Sequence, residues 1–445
     1  MDEIEQQVRE DDSAHVFHSW AAQGSLESLP VAGASGCYFW DYQGKRYLDF
    51  ASQLVFTNLG HQHPALVAAI KAQADRLCTI GPSFGNAARG ELARLIAERA
   101  PGDLNYVLFT NGGTEANEHA MRMARIHTGR LKVLSAYRSY HGATGASITA
   151  TGEPRRWGSE PGMPGIVHFF GPYLYRSPFH STDEATESAR ALEHLRQVIE
   201  LEGARSVAAV LLETVVGTNG VLLPPPGYLA GVRAICDEVG ALLICDEVMV
   251  GFGRLGEWFA VNAWDVTPDL ITFAKGVNSG YVPLGGVVIS ERVRATFVDR
   301  AYPGGLTYSG HPLACAAGVA NIRAFEELGI LERVRDLGRR VMEPALNALA
   351  EVHPSVGEVR GRGLMWALEL VRDRGTREML VPFNASGEQA EPMARVAAAC
   401  HASGVWPFIH FNRLQLAPPL VISEAELGAG LSGIDAALSV ADEYC

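Results

Sequence analysis

Two stretches decide the fold: Ala241-Leu-Leu-Ile-Cys-Asp-Glu247, and after it Leu270-Ile-Thr-Phe-Ala-Lys-Gly276. Each is a short, unbroken apolar run that ends abruptly in ionisable side chains. Runs of this kind read as central parallel strands covered on both faces, because a strand with one face in water alternates apolar and polar residues. A third run, residues 207–212, has the same character and ends at Glu213. In open α/β sheets ligands collect beyond the carboxyl ends of the strands. Glu213, Asp246, Glu247 and Lys275 are therefore site candidates, whereas acids and lysines elsewhere read as ordinary surface charge.

Outward from these strands, helical and extended patterns alternate. Apolar spacing predicts helices over 65–77, 88–99 and 228–239, the last after the rigid turn Pro224-Pro-Pro-Gly227, and short strands over 106–110 and 132–136. This alternation predicts an α/β fold with a mostly parallel sheet and helices on both faces. Residues 1–36 are polar and irregular with a helix-like start, and Cys37 to Phe50 reads as a hairpin turning at Gln43-Gly44. Beyond Ser309-Gly-His-Pro312, long helical patterns over 314–328 and 332–350 precede short strands and helices. They predict a smaller second domain, with the change near residues 313–330.

Composition narrows the function classes. A chain of 445 residues with 47% hydrophobic and 20% charged residues is long enough for two or three domains and a large core. Its 37 Lys+Arg against 50 Asp+Glu give a net charge of −13, which repels phosphate backbones and anionic membranes, so neither nucleic acid nor membrane is an expected partner. Seven widely spaced cysteines without CxxC fit reduced thiols, and the acid-rich N-terminus lacks signal-peptide character; a cytoplasmic location is expected.

The chemistry concentrates at strand ends. Burial of Lys275 disfavours its ammonium form and frees the amine as a nucleophile for Schiff-base chemistry; by position alone it reads equally as a snorkelling lysine. Asp246, ending a neighbouring strand, tips the balance, since a carboxylate is what a pyridinium nitrogen needs as partner. Asn111-Gly-Gly-Thr-Glu-Ala116 follows a strand and opens a helix, so its free N–H groups could hold a phosphate. Tyr140-His141-Gly142 adds an aromatic face. Gly251-Phe-Gly-Arg-Leu-Gly256 matches a dinucleotide fingerprint, but no clean crossover helix follows it and the reading is rejected. His61 and His63 have no partner cluster; they are expected to cap and turn the next helix, and no metal site is expected.

Taken in order, these motifs closely resemble the class III pyridoxal-phosphate aminotransferases of fold type I, over roughly residues 36–425. The resemblance rests on Thr110-Asn-Gly-Gly-Thr-Glu-Ala-Asn117, Ser139-Tyr-His-Gly142, Glu213-Thr-Val-Val-Gly217, Leu243-Ile-Cys-Asp-Glu-Val248 with Gly251-Phe-Gly-Arg254, Asp269-Leu-Ile-Thr-Phe-Ala-Lys-Gly276 and Leu306-Thr-Tyr-Ser-Gly-His-Pro312. Within the class the chain is similar to ω-amino acid:pyruvate transaminases. The resemblance implies a large cofactor domain over 61–314 and a smaller α/β domain over 315–445, which the N-terminal segment 1–60 joins as part of it.

It further implies pyridoxal 5′-phosphate as cofactor, with Lys275 forming the Schiff base and Asp246 pairing with the pyridine nitrogen. Val248 and Tyr140 would flank the ring, with His141 beside them, and Glu213 would orient the site. Gly113 and Thr114 would bind the phosphate, as would Thr307 from the second subunit of a homodimer. The implied reaction is ping-pong transfer of an amino group from an amine or ω-amino acid to pyruvate or another small 2-oxo acid. An aminomutase, decarboxylase or epimerase of the same class is the alternative, and a non-catalytic binding protein the remote one. For substrate, Leu54, Val55 and Phe56 occupy the stretch that lines the pocket in the family. Many relatives place an arginine ten residues before the C-terminal Pro-Pro pair. Here that position is Phe408, and Arg413 is the nearby candidate to hold a carboxylate.

Overall fold

A computed structural model describes residues 3–24 and 26–445. Met1, Asp2 and Ser25, which belong to the expected segment 1–60, lie outside the described residues. The apolar runs form the middle of a seven-stranded sheet. Its order is Leu104–Thr110, Gly285–Ser290, Leu270–Phe273, Leu242–Asp246, Val207–Glu213, Lys132–Ala136 and Ile166–Phe169. All neighbours are parallel except Gly285–Ser290, which runs antiparallel to both strands beside it. Every residue of Val207–Glu213 and Leu242–Asp246 is buried. Register fixes the site: Glu213 lies opposite Asp246, and Asp246 opposite Thr272, so three strand ends present their side chains together.

Helices cover both faces. Leu195, Ile199, Val232 and Ile235 pack on one, and Ala116, Ala120 and Met123 on the other. A separate apolar core joins Leu48 and Phe50, near the N-terminus, to Leu368, Leu414 and Leu438, near the C-terminus. The expected hairpin forms as Tyr38–Asp41 and Arg46–Asp49. It extends to a four-stranded sheet because Val31–Ser35 adds on one side and Val405–Trp406 pairs in parallel on the other.

Two expectations need correction. The pattern over 332–350 predicted one helix, whereas the chain forms Ile330–Leu337, a π turn at Gly338–Met342, and Glu343–Val352. Gly338 lies so close to Gly363 that a Cβ would stand 2.5 Å from its carbonyl oxygen, and the helix widens where the two backbones touch. His63 does stand at the N-cap of Pro64–Arg76, but its side chain makes no capping hydrogen bond. His61 instead pairs with Asp49 through Nε2 at 2.9 Å. As expected, Gly251–Gly256 opens no long helix. Gly253, at φ +94°, allows close approach to Phe325, and the fully buried Arg254 donates to Leu364 O at 3.3 Å, Ser52 Oγ at 3.2 Å and Asn58 Oδ1 at 2.6 Å. That glycine-rich stretch ties distant segments together around the site.

Candidate active site

The strand ends open into a cavity of about 700 Å³. Leu54, Val55, Phe56, Gly113, Thr114, Tyr140, His141, Glu213, Asp246, Val248, Lys275 and Phe408, all expected from the sequence, line it together. Lys275 follows Leu270–Phe273 in a left-handed turn at φ +46°, and burial lowers its pKa, with Asp246 and Glu213 opposing. Backbone strain of this kind collects at functional sites. It also marks the wall formed by residues 52–55, where Ser52, Gln53 and Val55 all have positive φ.

Asp246 is buried and held from several sides. Its Oδ2 accepts from Asn117 Nδ2 at 2.7 Å and meets His141 Nδ1 at 2.8 Å, while Oδ1 accepts the Val248 N–H at 3.0 Å. Asn117 also donates to His141 O at 2.8 Å and accepts from Thr272 Oγ1 at 2.8 Å. The network fixes the carboxylate without exhausting its acceptor capacity, because two oxygens offer about four lone-pair sites. Glu213 accepts the Tyr140 N–H at 2.8 Å and the Gly217 N–H at 2.7 Å. Burial, opposed by His141 and reinforced by Asp246, raises its pKa to about 7.

Across the cavity, Gly113–Thr128 begins with Gly112 as N-cap and no side-chain cap. The first N–H groups of this helix are therefore open to an anion, with the helix dipole behind them. A Cβ at Gly113 would lie 2.7 Å from both Val248 methyl groups, and one at Gly142 would lie 2.6 Å from Thr114 Oγ1. Glycine is what lets these walls close on the cradle.

Two expected residues lie elsewhere. Arg413 does not line the cavity. It is fully buried on Arg413–Leu416, opposite Glu369 on the adjoining strand, with its Nε 3.4 Å from Glu369 Oε2. Arg176 and Arg360 meet the same carboxylate, so the charge that sequence reading offered to a substrate lies within the small sheet, where Arg413 Nη1 and Nη2 have no hydrogen-bond partner among the described residues. Thr307 is exposed and stands outside the cavity of its own chain. Sequence reasoning missed Asn117, although it closes a quoted motif and sits four residues after Gly113, one helical turn along the same face. It also missed Trp20 and Arg155, which line the cavity from irregular, polar stretches.

The family model for aminotransferase class-III matches residues 21–438. This chain belongs to the class III aminotransferases. Among solved structures, taurine:2-oxoglutarate aminotransferase from Bifidobacterium kashiwanohense, in complex with PLP and glutamate, is 44% identical, with 98% of each chain covered and a TM-score of 0.95. Taurine–pyruvate aminotransferase of Bilophila wadsworthia is 33% identical over 97% of each chain. Putrescine–pyruvate aminotransferase of Pseudomonas aeruginosa is 36% identical over 89% of this chain and 87% of its own. The fold and family expected from the motifs hold: this class III aminotransferase is a pyridoxal-phosphate-dependent transaminase that works between an amine donor and a 2-oxo acid. The cavity fits that cofactor. It joins a helix N-terminus for a phosphate, a held carboxylate with spare acceptor capacity for a ring N–H, and a desolvated amine. Among the described residues no helix is long and apolar enough to cross a membrane, and no group of three or more His, Cys, Asp or Glu side chains could hold a metal.

Proposed function

We propose that the enzyme takes an amino group from an amine or ω-amino acid and passes it to pyruvate or another small 2-oxo acid, with Lys275 and Asp246 as its central pair. The observation that carries this reading is the convergence of Lys275, Asp246 and the open N-terminus of Gly113–Thr128 on one cavity. Bound there, pyridoxal phosphate would supply the carbonyl carbon that takes the amino group and the ring that takes up the electron pair.

The chain's own residues do the rest. Gly113 and Thr114 hold the phosphate through backbone N–H groups and the Thr114 hydroxyl. Asp246 keeps a proton on the pyridine nitrogen, and its bonds to Asn117 and His141 fix its direction. Val248 and Tyr140 would flank the ring, and Glu213 anchors the Tyr140 backbone. Lys275 Nζ would hold the cofactor and, as a free amine, is placed to take the proton from the donor's amine-bearing carbon as general base. Its lowered pKa keeps a neutral amine accessible for that task.

Thr307 of the partner subunit completes the phosphate site. This reading is supported by the exposure of Thr307, Phe84 and Tyr308 on segments that Arg89 ties together by donating to Phe84 O and Ser309 O. The free state of all seven cysteines accords with a reducing compartment such as the cytoplasm. Initial rates over a grid of donor and acceptor concentrations test the function. Parallel double-reciprocal lines that vanish in Lys275→Ala are expected; intersecting lines, or full activity in that variant, overturn it.

A further inference from the structure

One face of the small sheet carries buried charge, and its register leads to the cavity. Side chains lie opposite one another in two rows across the strands Val356–Arg362, Met365–Asp373, Arg413–Leu416 and Phe408–His410. One row runs Glu358, Glu369, Arg413, His410, and the other Arg360, Ala367, Gln415, Phe408. Both end on the strand whose Phe408 and His410 line the cavity. Glu369 is fully buried in the first row. It accepts from the Tyr173 hydroxyl and Arg176 Nε, in the segment that follows Ile166–Phe169 of the seven-stranded sheet. Within the small sheet it accepts from Arg360 Nη2 at 2.7 Å and Arg413 Nε at 3.4 Å.

The same face grips a loop of the cavity wall. Arg360 Nε donates to Gly220 O at 2.5 Å and Gln415 Nε2 to Thr218 O at 2.6 Å, and Thr218 lines the cavity. Gly220, at φ +118°, has no room for a side chain, since a Cβ would stand 2.6 Å from Arg360 Nη2 and from Arg413 Cδ. From this arrangement we infer that Glu369, which lies outside the cavity lining, is a positioning residue for substrate. It locks the small sheet onto the seven-stranded sheet and so sets where Thr218, Phe408 and His410 stand on the cavity wall. The inference rests on the transaminase reading and deepens it.

Charge is what makes the lock hold. Burial raises the pKa of Glu369, but Arg360, Arg413, the Tyr173 hydroxyl and Arg176 outweigh it and hold the carboxyl far below the usual range, so it stays ionised. Glu358 lies directly opposite, a like-charge pairing that Arg360 relieves by bridging both acids. Without the Glu369 charge, Arg176 and Arg413 would have no carboxylate partner among the described residues, and the small sheet would shift away from Tyr173. The cofactor side is tied differently. Asp246 ends a strand of the seven-stranded sheet, Lys275 follows another, and the helix Gly113–Thr128 follows a third. Gly217, where the wall loop begins, is held by Glu213 Oε2 at 2.7 Å. A shift of the small sheet therefore reaches the substrate wall and stops short of the cofactor.

The test compares cofactor-loaded wild type with Glu369→Gln, which keeps the shape and removes the charge, and Tyr173→Phe, which keeps every charge and removes one hydroxyl. In turnover of 3-aminopropanoate with pyruvate, Glu369→Gln should raise the donor KM about tenfold, the scale on which remote contacts bias a site, with kcat and pyridoxal-phosphate affinity within about twofold of wild type. Tyr173→Phe should raise KM about threefold, as the loss of one hydrogen bond does, and carries the test if Glu369→Gln does not fold. A loss that falls on kcat or cofactor affinity as heavily as on KM, or an unchanged KM, overturns the assignment. Hydrogen exchange on the loaded proteins separates this claim from the transaminase reading, because it needs no donor to react. Faster exchange confined to residues 216–222 and 405–416 upholds the lock even if no donor turns over. Exchange equal to wild type, or raised equally over 110–128 and 242–248, refutes it.

Discussion

Asn117 offers the sharpest quantitative test of how the site is held. Asn117→Leu keeps the branching and the heavy-atom count but removes the donor to Asp246 at 2.7 Å, the donor to His141 O at 2.8 Å, and the acceptor for Thr272 Oγ1 at 2.8 Å. All the groups left behind are buried. A hydrogen bond to an ionised group is worth about 1.5–3 kcal/mol, and an orphaned buried carbonyl or hydroxyl costs about 1–3 kcal/mol. Part of that sum is offset by the apolar gain of leucine, about 1 kcal/mol, so the expected net destabilisation is about 2.5–8 kcal/mol. Urea unfolding of cofactor-free protein reads it. Thr272→Val supplies the control: it should be costly in wild type and nearly free in the Asn117→Leu background, where the hydroxyl has already lost its partner. The half-reaction rate should fall about tenfold, because Asp246 keeps His141 but loses its second side-chain anchor. A loss below about 1 kcal/mol, or the same Thr272→Val cost in both backgrounds, would refute the network as the support of Asp246.

Further expectations concern the cradle and the buried acids. Gly113→Ala places a methyl 2.7 Å from Val248, an overpacking of about 1–3 kcal/mol, and should weaken pyridoxal-phosphate affinity about tenfold in reconstitution titrations; unchanged affinity counts against the cradle. Glu247 is buried, accepting from Thr214 Oγ1 and from the Ala260 and Val261 N–H groups, and burial, reinforced by Asp246 and opposed by those hydrogen bonds, raises its pKa from 4.5 to about 7. Because the folded protein binds the proton more tightly than the unfolded chain, stability should fall as pH rises from 4.5 to 7, by about 3 kcal/mol for this group. Glu247→Gln should flatten the curve by that amount, and an unaltered pH slope would show that the carboxyl does not titrate there. Arg254→Met should loosen the join between residues 52–58 and the loops at 364 and 418, seen as faster hydrogen exchange confined to those segments, whereas protection equal to wild type would show that packing alone holds them.

Most of the fold was legible because its deciding strands are buried on both faces, and burial of that kind leaves a contiguous apolar run. Lys275, Asp246 and Glu213 were legible for the same reason, as charge appearing abruptly where such runs end. Arg155 carries no comparable signal: Glu153-Pro-Arg-Arg156 reads as a polar turn, and only the folded chain brings it to Tyr140. Arg413 shows the converse. A basic residue near the Pro-Pro pair read as a substrate ligand, but Glu369 opposes it from another strand 44 residues away in sequence, and that pairing exists only once the small sheet is assembled. The π turn at Gly338 has the same origin, since its cause is Gly363 on a neighbouring loop.

The central claim is that Lys275, Asp246 and the helix cradle form a working transamination site, and an absorbance spectrum tests it most directly. Purified enzyme loaded with pyridoxal phosphate should show a band at about 410–430 nm. Adding an amine or ω-amino acid without any acceptor should convert it to a band near ~330 nm, and a 2-oxo acid should then restore it. A protein that takes up no cofactor, or one whose band survives every donor unchanged, would contradict the account.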